Sequence, residues 1–115
     1  MEPDKSLVSG SMAMLIMKLL ECSDMYGYQM IDELKRRSDD TFHLKAGSLY
    51  PLLHGLEEKG YVTAYEREAS AGKPRRYYHL TAAGHQALRE KEESWNAYAA
   101  AVSRVLEGKV CYAGV

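Results

Sequence analysis

Residues 46–62 read Ala46-Gly47-Ser48-Leu49-Tyr50-Pro51-Leu52-Leu53-His54-Gly55-Leu56-Glu57-Glu58-Lys59-Gly60-Tyr61-Val62, and the fold turns on this stretch. At a helical 100° per residue, Leu49, Leu53 and Leu56 share one face, with Leu52 beside them. Gly47, Tyr50, Pro51, His54 and Glu58 fall on the opposite side. Gly60 stands where helices commonly end in a left-handed residue. Tyr61 to Tyr65 then takes on a β-branched and aromatic texture, as a strand does. A short helix with leucines behind and small, aromatic and hydrogen-bonding groups in front suits a DNA groove. It equally suits a plain packing element, so the flanking sequence decides.

Pro51 leaves the helix start open. With Ser48 as N-cap, Pro51 lies in the first turn, where its missing N–H costs nothing. With a start near Ala46, Pro51 removes one backbone bond. In both cases Gly47 and Ser48 allow the helix end to approach a phosphate closely.

Downstream, a strand over Tyr61 to Ala69 meets Ser70-Ala71-Gly72-Lys73-Pro74, a strong turn signal. Arg75-Arg76-Tyr77-Tyr78-His79-Leu80 reads as the returning strand. The tip of this hairpin carries Lys73, Arg75 and Arg76 and no acid, a pattern that also protects an edge strand from aggregation. Upstream, Met12, Leu15, Ile16, Leu19 and Leu20 form an apolar stripe on a helix over Leu7 to Glu21. Met14, Met17 and Lys18 lie on its other side, so it needs two burial surfaces, the second expected to be a partner chain. Ser23-Asp24 predicts a cap-type turn before a second helix over Met25 to Arg37, with Tyr26, Met30, Ile31 and Leu34 buried. Lys35-Arg36-Arg37 in its last turn complements the helix dipole. Ser38-Asp39-Asp40 then breaks the pattern.

Three helices followed by a basic hairpin are the order of a winged helix-turn-helix, in which one helix reads the major groove and the wing meets the backbone or minor groove. The expected fold is therefore mainly α with a small β-hairpin. Residues 1–80 would form the winged helix-turn-helix, and residues 81–115 a long C-terminal dimerisation helix and tail. Thr81 caps that helix, which runs to Leu106 with Gly108 as its stop. Leu88, Glu92, Trp95, Ala99, Val102 and Leu106 recur at spacings of four and three residues, flanked by Tyr98 and Val105, as in a coiled-coil seam. A helix of about 26 residues extends roughly 39 Å, longer than a compact domain of this size is wide. A symmetric dimer would cover its outer half.

Length and composition agree. One core fits 115 residues, and no apolar run approaches the ~20 residues of a membrane span. No cleavable leader is evident. Two cysteines, Cys22 and Cys111, are too few for a disulfide framework and point to a reducing cytoplasm. The net charge of −1, taken as a bulk property, argues mildly against nucleic-acid binding, but residues 35–76 hold nine basic against six acidic side chains, a local +3 that suits phosphate contact. Histidines 43, 54, 79 and 85 are scattered, and the cysteines lack metal-finger spacing. With no phosphate loop, nucleophile elbow or carboxylate pair, no cofactor is implied and an enzyme is the weaker class. A winged helix used only for protein contacts is the other competitor.

With these residues assembled, the chain resembles the PadR-like transcriptional regulators, bacterial repressors with a winged helix and a dimerising C-terminal helix. The matching blocks are Tyr26-Gly27-Tyr28, Gly47 to Leu53, Leu56 to Val62, and Gly72 to Gly84. A single long C-terminal helix is similar to the shorter subfamily. The resemblance implies that Ser48, Tyr50 and His54 face DNA near Gly47 and Pro51. It places Tyr28 on the supporting helix and Lys73, Arg75 and Arg76 in the wing. The Tyr50 ring has a second option, packing on the core rim with only its hydroxyl presented. Related chains often carry a cap-type Ser or Asn at position 45; Lys45 here weakens the cap and adds a phosphate contact. Glu93-Ser94-Trp95 is similar to multidrug-sensing members, where a tryptophan stacks planar ligands across the dimer. Lys91, Ala99, Met14 and Lys18 are expected to line that space. Trp95 as a plain dimer-core residue fits its chemistry equally. The expected partners are a palindromic double-stranded DNA operator, a second copy of the chain and a planar aromatic effector, with no membrane.

Overall fold

The computed structural model describes residues 4–68 and 72–108. Cys111, the turn residues 69–71 and the C-terminal tail lie outside the described residues. The chain runs α1 (Lys5–Cys22), β1 (Met25–Tyr26), α2 (Gly27–Arg37), α3 (Ala46–Glu58), β2 (Val62–Glu68), β3 (Pro74–Leu80) and α4 (Ala82–Leu106). It is a mainly helical winged helix-turn-helix, as the element order implied. The expected hairpin is part of a three-stranded antiparallel sheet in the order β1-β3-β2.

The added strand comes from residues assigned by sequence to the second helix. Met25 and Tyr26 are extended and pair with Tyr78 and Tyr77. Helix α2 therefore begins at Gly27, with the Tyr26 backbone N–H donating to Gln29 Oε1 at 3.1 Å. Asp24 does not cap that helix. Its carboxylate instead accepts from the Tyr65 hydroxyl at 2.6 Å and lies 2.9 Å from His79 Nδ1, tying the loop before β1 to the far strands. At the other end, Asp39 and Asp40 stop α2 with two successive left-handed residues, a conformation that aspartate tolerates better than most side chains.

Met12, Ile16, Met17, Leu19 and Leu20 of α1 are buried together with Met30, Leu34, Leu49, Leu53, Leu56, Val62, Tyr78, Leu80 and Leu88. Met17 lies inside the core, not on the outer side of α1. Helix α1 packs against α2, β3 and α4, so much of its second burial surface is supplied by its own chain. Leu88, placed by its spacing in the dimer seam, is likewise fully buried in this core. The first turns of α4 thus complete the winged-helix core, with Thr81 Oγ1 accepting from the Gly84 N–H at 3.0 Å. The 25 residues of α4 correspond to roughly 37 Å of helix. Only its beginning is buried, and the molecule measures 70 × 31 × 21 Å.

Candidate nucleic-acid interface

Helix α3 starts at Ala46 with Lys45 in the N-cap position, extended and making no side-chain cap bond. The Ser48 and Leu49 N–H groups both donate to the Lys45 carbonyl, at 3.0 and 2.9 Å. Of the two possible starts, the structure has the earlier one, so Pro51 lies inside the helix and the Gly47 carbonyl lacks its usual donor. At the far end Gly60 has a φ of 77°. The Tyr61 N–H reaches the Leu56 carbonyl and the Gly60 N–H the Glu57 carbonyl, both at 2.9 Å, which is a Schellman closure. That closure sets the angle at which β2 leaves α3 and thus where the wing stands.

Leu49, Leu53 and Leu56 are buried, while Gly47, Ser48, Tyr50, Pro51, His54 and Glu58 are exposed. Helix α3 therefore presents a small-and-aromatic strip backed by leucine. The Tyr50 ring leans on the start of α2: a β-carbon at Gly27 would lie 2.9 Å from Tyr50 Cζ and nearer still to its hydroxyl. The Tyr50 ring thus rests on the core rim with its hydroxyl turned inward against Gly27, not presented outward as the second option had it, while its side of α3 still faces solvent. Tyr28, one residue beyond Gly27, is 64% exposed. Lys45 and Ser48 also border a groove of about 530 Å³ floored by Val8, Met12, Phe42 and Leu44.

Strand alternation splits the wing cations between two faces. Arg76 shares the core side of β3 with Tyr78. Its guanidinium lies 5.9 Å from the Tyr78 ring centre and 3.5 Å from Glu57 of α3. Arg75 is on the outer side, 4.4 Å above the Tyr26 ring. Opposite it across the strands is Arg67, which sits 5.2 Å above Tyr77. Tyr26 meets Tyr77 edge-on, and Tyr77 stacks on Tyr65. Lys73 is exposed at the turn, beside Gly72 with its φ of 79°. Arg67 and the tyrosine row are the part of this surface that sequence alone did not single out. Its signal was period-two spacing in β2, opposite Arg75 in the paired register.

The basic triplet ending α2 is different. Arg36 and Arg37 both bond to Glu33, Arg37 Nε at 2.8 Å, and they pull the Glu33 carboxyl down to about 2. Glu33 thus offsets one of these two positive charges within the same helix.

A second cleft, of about 440 Å³, lies between α1 and α4 and is lined by Leu7, Gly10, Met14, Lys91, Trp95 and Tyr98 among others. It gathers three of the expected effector residues, Met14, Lys91 and Trp95. Lys18 is not in its lining. It is held by Glu21 and Glu92 at 2.9 and 3.0 Å, contacts that raise its pKa. Ala99 is also outside the lining, whereas Leu7, Gly10 and Tyr98 are additions.

The model of the transcriptional regulator PadR-like family matches residues 16–90, from the middle of α1 to the first turns of α4. The chain belongs to this family. A PadR-family transcriptional regulator from Eggerthella lenta superposes with a TM-score of 0.80 at 31% identity, over 90% of this chain and 88% of that one. A PadR-like regulator from Bacillus cereus gives 0.80 at 26% identity, covering 91% and 100%. Transcriptional regulator Rv3488 of Mycobacterium tuberculosis is 35% identical over 68 residues, 59% of this chain and 60% of its own length. Members of the PadR-like family regulate transcription by binding DNA and are not enzymes, and this chain is a PadR-like, DNA-binding regulator. Among the described residues, no helix is long and apolar enough to cross a membrane.

Proposed function

We propose that this PadR-like chain is a homodimeric repressor that reads a palindromic operator and is released by a planar aromatic effector. The observation that carries the DNA side is the exposed strip Gly47, Ser48, Tyr50, Pro51 and His54 standing on the fully buried Leu49 and Leu53. The leucines hold the helix rigidly, and the strip offers a methylene-poor front with a hydroxyl and an imidazole for base edges. Lys45, Tyr28 and the wing cations Lys73, Arg75 and Arg76 flank it for phosphates, which fix register and carry no sequence information. Residues 1–80 supply this reading head, and residues 81–115 supply the means of pairing two of them in the cytoplasm.

Pairing is supported by the distal half of α4. Tyr98, Val102, Val105 and Leu106 are exposed there, Val105 and Leu106 to about four-fifths, and soluble monomers rarely leave such a row uncovered. Trp95, 44% exposed beside the α1–α4 cleft, is placed to stack a flat ligand against a second copy. A ligand wedged there changes how the two reading heads are spaced, and so changes operator affinity.

Selection of bound duplexes from a random pool tests the proposal. An inverted repeat with half-site centres about one helical turn, ~34 Å, apart is expected. A single unrepeated motif argues against the symmetric dimer. Titrating a flat cationic dye should quench Trp95 fluorescence at micromolar concentration; unchanged emission removes the effector from the mechanism.

A further inference from the structure

Of the adjacent wing arginines, Arg76 is turned toward α3 and engaged by Glu57. Arg75 looks the other way and has a cation directly across from it. We propose that Arg67 and Arg75 together form a clamp on the outer face of the wing that holds two neighbouring backbone phosphates, one arginine to each. The clamp rests on the DNA-binding function described above and names the residues by which the wing holds the backbone.

Register places Arg67 opposite Arg75, between the Glu66–Arg76 and Glu68–Pro74 pairs. Like charges directly opposite each other weaken a sheet, so this pairing has no value for folding. Alternation sends Glu66 and Glu68 to the other face. Asp24, an acid that does reach the outer side, is taken by Tyr65 and His79. Among the described residues neither guanidinium is in an ion pair. Two positive charges therefore share one small surface with a single carboxylate, Asp24, whose charge Arg67 feels without forming an ion pair with it.

The rings beneath them supply the geometry. Arg75 lies over Tyr26 and Arg67 over Tyr77, and these two rings touch edge to face at 5.4 Å. An arginine stacked on an aromatic face keeps its planar fork of N–H donors free at the edge, preorganised for a phosphate. Tyr26 also adjoins Gly27, on which Tyr50 of α3 rests. The clamp is thereby joined to the reading helix through the Tyr26 ring, the Gly27 backbone and Tyr50.

Salt titration of DNA binding distinguishes the clamp from its alternatives. The full chain is titrated against one pool-selected duplex between 50 and 300 mM salt, with folding checked by circular dichroism. Each lost phosphate contact lowers the slope of log K against log salt by about 0.9. Arg67→Gln and Arg75→Gln are each expected to flatten the slope by that amount per bound copy, and the double variant by about twice as much. Arg67→Lys keeps the charge and is expected to keep the slope. Arg89→Gln, a charge removed from α4 remote from the wing, controls for net charge and should leave it unchanged. A wild-type slope retained by Arg67→Gln overturns the clamp while DNA binding stands. A wild-type chain that binds without salt dependence, or not at all, overturns DNA binding and the clamp with it.

Discussion

Gly27 has no side chain because the Tyr50 ring occupies the space one would need. A β-carbon there would come within 2.9 Å of Tyr50 Cζ, so the contact locks the reading helix to the start of α2. Overpacking of this kind costs about 1–3 kcal/mol. Gly27→Ala should therefore lower stability by that amount in urea unfolding, and most of the loss should disappear in a Tyr50→Ala background. An equal loss in both backgrounds would mean that Tyr50 does not rest there. The sequence showed Tyr26-Gly27-Tyr28 as a family pattern without its reason, because the partner lies 23 positions along the chain and no periodicity connects them. The leucine face of α3 was legible for the opposite reason. Leu49, Leu53 and Leu56 obey a local repeat that folding preserves.

At the scale of elements, what sequence missed was β1. Two residues carry too little periodicity to mark a strand, and Ser23-Asp24 mimics a helix cap. Asp24 shows why the strand exists: it accepts from Tyr65 and faces His79, holding β1 and the wing to one another. Burial pushes the Asp24 carboxyl up, but the hydroxyl and the imidazole outweigh it and the net shift is downward. A carboxylate with a lowered folded pKa stabilises above its ordinary value near 4 and loses that contribution as pH falls through the folded value. Asp24→Ala should cost about 1–2 kcal/mol at neutral pH and progressively less below about pH 4. A pH-independent difference in urea midpoint would contradict this. The wing was legible as a basic hairpin, but the division of Arg75 and Arg76 between two faces was not. Strand phase depends on where pairing begins, and the turn sequence leaves that open by a residue.

For the whole molecule the governing fact is the length of α4. Its beginning closes the core around Leu88, so the helix is both the last wall of the winged helix and a projecting rod. The seam pattern was visible in sequence, but no repeat shows where burial by the same chain stops. That boundary depends on the length of α1, which packs alongside α4. Beyond it, Val105 and Leu106 are about four-fifths exposed and Val102 more than a third. Burying one such side chain contributes about 1.5–3 kcal/mol, a factor of ten or more in association. Val105→Asp with Leu106→Asp should therefore raise the dimer dissociation constant at least 100-fold in sedimentation equilibrium while leaving the helical signal intact. An unchanged constant would place the pairing surface elsewhere.

Operator recognition as proposed needs two copies presenting two reading helices to one duplex. Sedimentation velocity of the chain on a pool-selected duplex, followed through the DNA absorbance, measures this directly. It should show two copies per duplex, with no one-copy complex at substoichiometric protein. A saturated complex holding one copy would contradict the account.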